Sequence, residues 1–129
     1  MTFDAIGIAA TGLTLHRHWL DAISDNIANI NTIKPTNGPA FQARYVVAQE
    51  GAGNSGVYVQ GAAFGSAAGI PAYDPTNPLA DANGMVKRPD IDLGAQMAQL
   101  IMAQRGYQAN AAVVDRAKES YMAALQIGK

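Results

Sequence analysis

His16, His18 and Asp21 are the residues whose types most suggest metal chemistry. On a helix, positions 16 and 18 point about 200° apart, so the two imidazoles cannot face one ion. His18 and Asp21 share a face at i, i+3, but two ligands are too few for a zinc site. Phosphate binding would fall to GAGNSG (51–56), a match to G-x-G-x-x-G. That loop needs a strand before it and a helix after it, whose N-terminus receives the phosphates. VYVQ follows instead, a strand pattern, so a hairpin tip is expected. Hydrolysis by paired carboxylates needs two acids held at a fixed separation in a cleft. Asp74, Asp81, Asp90 and Asp92 sit near turns, where Asp bonds the backbone or caps a helix. Both histidines lie close together on one stretch, which leaves no credible Ser/His/Asp arrangement. No metal, cofactor or small-molecule substrate is expected, and no enzymatic activity.

Composition narrows the class further. The chain has 129 residues, enough for one ordinary domain, and 49% are apolar. Alanine dominates that share, with only three Phe and one Trp beside 13 Gly, so core-building side chains are few. The formal net charge is −1 with no Lys/Arg block, which argues against nucleic acid as a partner. There is no cysteine, hence no disulfide and no thiolate metal site. No apolar run approaches the roughly 18 residues of a membrane span. The N-terminal MTFDAIGIAATGL lacks the positive region of a secretory signal, and its first charge is Asp4. Export, if it occurs, is expected by a route without a cleaved peptide.

The elements that must position these residues lie at the two ends. Ile6, Ala9, Leu13, His16, Leu20, Ile23, Ile27 and Ile30 step by alternating threes and fours, a heptad seam. Arg17, Asp21, Asp25 and Asn29 lie on the opposite, polar face. A second seam runs through Leu93, Met97, Leu100, Gln104, Tyr107, Ala111, Val114, Lys118, Tyr121 and Leu125. A helix over 92–127 would span about 54 Å, more than a compact domain of this size needs. The fold expected is mainly α: long N- and C-terminal helices pairing as a coiled coil, with a short irregular or β-hairpin middle. The segments are 1–33, 34–89 and 90–129. His16, polar and on the seam, reads as a residue that sets register. In RGYQAN (105–110), Gly106 invites close approach, and Tyr107, Gln108 and Asn110 read as contacts between subunits.

All six prolines fall in 34–89, so none interrupts either seam. FQARYVVAQ (41–49) and VYVQG (57–61) alternate and flank GAGNSG, which predicts a hairpin. Residues 62–88 read as loop or irregular extended chain. Asp90 or Asp92 is the expected N-cap of the second helix, with Pro89 just before it.

GIAATGLTLHRHWLDAISDNIANINT (7–32) resembles the signature of bacterial flagellar axial proteins, those of the rod, hook and hook-associated segments. Asn26, Ile27, Ala28, Asn29, Asn31 and Thr32 occupy the family's N-I-A-N-x-N-T motif. Residues 73–129 are similar to the same family through Y-D-P-x-x-P-x-A-D, G-x-V-x-x-P and R-x-Y-Q-A-N. The resemblance covers about two-thirds of the chain, and the short middle suits a proximal rod member. It implies a structural subunit of the flagellar basal body, in the periplasmic space, exported unfolded through the flagellar type III apparatus. It also implies assembly with copies of itself and with proximal and distal rod proteins into a drive-shaft that transmits torque and carries the export channel.

On that reading both seams are subunit contacts, as are the asparagines. Ile23, Ile27 and Ile30 supply adhesion; Asn26, Asn29 and Asn31 supply hydrogen bonds satisfied in one register only, because a buried stranded amide costs about 1–3 kcal/mol. The termini are expected to be frayed or disordered in the monomer and ordered only in the assembly. The rivals are a small enzyme or nucleotide-binding domain using GAGNSG and a cytoplasmic coiled-coil adaptor.

Overall fold

The computed structural model describes residues 2–128, and the side chains of 4–128. Helix α1 spans Thr2–Ala28 and helix α2 spans Leu93–Ile127, with four strands between: β1 Arg44–Glu50, β2 Val57–Phe64, β3 Ile70–Tyr73 and β4 Met85–Arg88. β1 pairs with β2, and β3 with β4, in two separate two-stranded sheets. The chain divides into two compact units. One takes α1 through Leu20, Val46–Gly61 and α2 from Leu100 onward; the other takes Asp21–Tyr45 and Ala62–Gln99.

In the first unit the hairpin closes where Gly51 N donates to Gly56 O at 2.7 Å, and Gly53 and Gly56 take positive φ of 58° and 94°. Gly56 lies against Thr11, so a side chain there would meet both strain and the threonine hydroxyl. That hydroxyl donates to Ile8 O (2.6 Å) and accepts from Val57 N (3.1 Å), which ties the hairpin to α1. The buried positions on the helices are small: Ala9, Gly12, Ala103 and Ala117. Small residues let two helix backbones approach, where large ones would hold them apart.

The second unit buries Ala22, Ile23, Asn26, Ala40, Ala43, Val86 and Gln96. β3 and β4 run antiparallel, with Ile70 opposite Arg88 and Tyr73 opposite Met85. Lys34 extends this pairing by a reciprocal backbone bridge to Lys87, at 3.0 and 2.8 Å. The connection from β3 to β4 is built on two aspartates. The Asp74 carboxylate accepts from Thr76 Oγ1 (3.0 Å) and Asn77 Nδ2 (3.2 Å). Asp81 Oδ1 accepts from Asn83 N (2.9 Å) and Met85 N (3.0 Å), and Oδ2 from Thr36 Oγ1 (2.9 Å). These bonds to its ionised form hold the Asp81 carboxyl below its ordinary range, first through Met85 and then through Thr36.

Two features differ from the reading of the sequence, and a third decides between its two N-cap candidates. Residues 62–88 are not irregular throughout, since they carry β3 and β4. These strands are four residues long, include Pro71 and lack alternation, and their turn is made by aspartate side chains. Pro71 is tolerated because every strand of a two-stranded sheet is an edge. Helix α1 ends at Ala28, so Ile30 and Asn31 lie in a following turn, with Thr32 N bonded to Asn29 O at 3.0 Å. The N-cap of α2 is Asp92, whose Oδ1 accepts from Ala95 N at 2.6 Å.

Candidate assembly interface

Asn26 lies at the centre of the second unit and is 1% exposed. Its Nδ2 donates to Arg44 O (2.9 Å) and to Gln96 Oε1 (3.0 Å), while its Oδ1 accepts from Arg44 N (2.8 Å). Both amide donors are thus committed within the chain. Asn29 is likewise engaged locally: Nδ2 donates to Asp25 O (2.9 Å) and Oδ1 accepts from Thr32 Oγ1 (3.1 Å). It finishes α1 by satisfying a terminal carbonyl. Asn31 is exposed and meets only the outer limit of a bond, at 3.5 Å from Arg88 Nη2. The Asp25–Arg44 ion pair beside them is roughly half exposed and contributes about 1 kcal/mol at most.

In the first unit, Gly12 and His16 of α1 meet Gly106 and Asn110 of α2. His16 Nδ1 bonds Gly12 O at 2.7 Å, so that nitrogen carries the proton, and the ring edge lies against Gly106. Asn110 Nδ2 donates to Gly106 O at 2.9 Å, and its carboxamide lies against Gly12. Trp19 flanks His16 with ring centroids 6.0 Å apart.

Large apolar side chains stand outward on α2 among charged ones such as Arg105, Asp115 and Glu119. Ile101, Met102, Val113, Met122 and Ile127 are exposed, Met102 at 60% and Ile127 at 87%. Of the positions expected at interfaces, Leu93, Met97, Gln104, Tyr107, Gln108, Tyr121 and Leu125 are exposed as well. Ile6, Leu13, His16, Leu20, Ile27, Ile30, Leu100, Asn110 and Val114 are half-buried, and Ile23 is buried. The inward line of α2 runs instead through Gln96, Ala103, Asn110 and Ala117, every seventh residue. Sequence reasoning missed Gly12, Gln96, Ala103 and Ala117, because it weighted large side chains. That seven-residue recurrence of small and amide residues was the signal available. Among the described residues, no group of three or more His, Cys, Asp or Glu side chains could hold a metal, and no helix is long and apolar enough to cross a membrane.

Comparison with known proteins places this architecture. Residues 6–33, α1 and the turn after it, match the family model "Flagella basal body rod protein". Residues 82–127, β4 and α2, match "Flagellar basal body rod FlgEFG protein C-terminal". The flagellar basal-body rod protein FlgC of Escherichia coli O6:H1 is 34% identical over 126 residues, spanning 95% of this chain and 94% of that protein. The chain belongs to the FlgC family of flagellar basal-body rod proteins. FlgC of Borreliella burgdorferi is 32% identical, covering 97% of this chain and 96% of its own. FlgC of Bacillus subtilis is 29% identical, with 98% of each covered. The FlgC-family match gives no support to the cytoplasmic adaptor.

Proposed function

We infer that this chain is a structural subunit of the flagellar basal-body rod and not an enzyme, and we propose that it polymerises through the outer faces of its terminal helices. The supporting observation is the sorting of side chains on α2. Gln96, Ala103 and Ala117 are buried, while Ile101, Met102, Val113 and Met122 stand in solvent. A chain that spends its small residues on its own interior keeps its largest apolar area for neighbours. Burying each such side chain against a neighbour is worth roughly 1.5–3 kcal/mol. A heterologous contact of this kind, repeated without closing, generates a helical array.

The finer reading follows from the family. The array is the proximal rod, α1 and α2 pair in it as a coiled coil, and the neighbours are copies of this chain and other rod proteins. The rod lies in the periplasmic space, and the subunit reaches it unfolded through the flagellar type III apparatus. The thin core supports this route, since few large buried side chains must be exposed to unfold the chain for export. Replacing Met102 with a photo-cross-linking residue in motile cells tests the proposal. Capture of rod proteins and of the chain itself is expected. Capture of soluble cytoplasmic proteins alone would overturn it.

A further inference from the structure

We propose that Gly12, His16, Gly106 and Asn110 form a reciprocal key that seats α1 and α2 in a single register. All four belong to the first compact unit. The arrangement is a closed circuit. Gly12 accepts the His16 ring N–H on its carbonyl and receives the Asn110 carboxamide on its Cα face. Gly106 accepts the Asn110 amide on its carbonyl and receives the His16 ring on its Cα face. Each large side chain is therefore tied back, four residues along its own helix, to the glycine that accommodates the other. The two halves, Gly-x-x-x-His on α1 and Gly-x-x-x-Asn on α2, meet head to tail.

The missing side chains are what make room. A methyl group at residue 12 would lie 2.5 Å from Asn110 Oδ1 and 2.7 Å from its Cγ. A methyl group at residue 106 would overlap the His16 ring. Neither side chain can swing away without releasing its own hydrogen bond. Sliding the helices by one turn destroys the match in either direction. One slip brings His16 against Asn110 and Gly12 against Val114, so two bulky polar groups collide. The other brings Gly12 opposite Gly106, which leaves a void, and His16 opposite Met102. The other fully buried helix positions described in this unit are Ala9, Ala103 and Ala117, whose methyl groups do little to fix the alignment. The register matters because it sets which outer residues align along the assembled face. The key is a property of the single chain and stands apart from the rod assignment.

The test is the thermal unfolding of the purified full chain, followed by circular dichroism. Gly106→Ala and Gly12→Ala are each expected to lower Tm by about 5 °C or more, although alanine is the better helix former. Trimming the opposed side chain should relieve each clash. His16→Ala added to Gly106→Ala, and Asn110→Ala added to Gly12→Ala, should raise Tm above the corresponding glycine variant. The crossed pairs, Asn110→Ala with Gly106→Ala and His16→Ala with Gly12→Ala, should fall below it. If a glycine variant does not fold at all, recovery of folding by its matched partner, and not by the crossed one, supports the key. Glycine variants as stable as the parent, or equal recovery by matched and crossed pairs, would overturn it.

Discussion

Asn26 pairs with Arg44 as one strand pairs with another: its carboxamide takes both the backbone N–H (2.8 Å) and the backbone C=O (2.9 Å) of that residue. A helix side chain thereby holds the first residue of β1, and its second amide hydrogen reaches Gln96 near the start of α2 (3.0 Å). One buried amide joins three elements of the second unit. Its replacement by leucine would strand the Arg44 backbone groups and the Gln96 carbonyl, at about 1–3 kcal/mol for each group left unpaired. Asn26→Leu is expected to destabilise the chain by about 3 kcal/mol in urea unfolding. Asn31→Leu, at an exposed position, should stay within about 0.5 kcal/mol. Equal effects at the two positions would contradict the role given to Asn26.

The Thr11 hydroxyl anchors the hairpin to α1. Thr11→Val keeps the shape and removes the acceptor for Val57 N. The expected cost is about 1 kcal/mol, concentrated at one site. Hydrogen exchange at the Val57 amide should accelerate while that at Gln96 N, which is bonded within the second unit to Asp92 O, stays unchanged. Unaltered protection at Val57 would show that the hairpin is held by other contacts.

Asp81 makes the β3–β4 connection sensitive to acid. Its carboxyl is held below the ordinary range in the folded chain by the Met85 amide, the Thr36 hydroxyl and the Asn83 amide. A depressed folded-state value favours the folded chain above the unfolded value near pH 4. That contribution is lost as the pH falls through the folded value. The expected outcome is constant stability from this group between pH 5 and 7 and a decline below about pH 4. Asp81→Asn should be less stable at neutral pH and should lack that part of the acid decline. An Asp81 titration midpoint at or above the usual carboxylate value, followed by carbon-detected NMR, would contradict this account.

The two terminal helices were legible because their apolar residues repeat by threes and fours and all six prolines lie between them. The hairpin was legible from VYVQ and the glycines that flank Asn54 and Ser55. The second sheet was not, because its order comes from Asp81 gathering the Asn83 and Met85 amides and from Asp74 gathering the Thr76 and Asn77 side chains, and single-chain periodicity carries no trace of that. The inward face of α2 was misread by a fraction of a turn. Large residues mark a buried stripe when the helix packs in a globular core. Here Gly12 and Gly106 admit the Asn110 carboxamide and the His16 ring, and Ile101, Met102, Val113 and Met122 stand outward. The role of Asn26 was visible only as an amide on an apolar stripe; its partner Arg44 lies 18 positions away, across two prolines.

The outward residues give the last prediction. Ile101 and Met122 are about half exposed, 48% and 51%, and lie on the part of α2 that belongs to the first unit. In the isolated chain, a charge at either position remains in water. Ile101→Asp and Met122→Asp should therefore change its stability by no more than about 0.5 kcal/mol. In an assembled rod the same carboxylate would be buried without a partner, at a cost of several kcal/mol for each contact formed. Because every subunit carries the change, the cost repeats along the array. Both variants are expected to be expressed and folded, absent from purified basal bodies, and to leave the cells non-motile. Glu119→Ala, on the same exposed face of the helix, removes a charge instead of adding one, serves as the comparison and should assemble normally. Wild-type swimming with Ile101→Asp and Met122→Asp would mean that this face of α2 looks onto solvent in the rod as it does in the single chain.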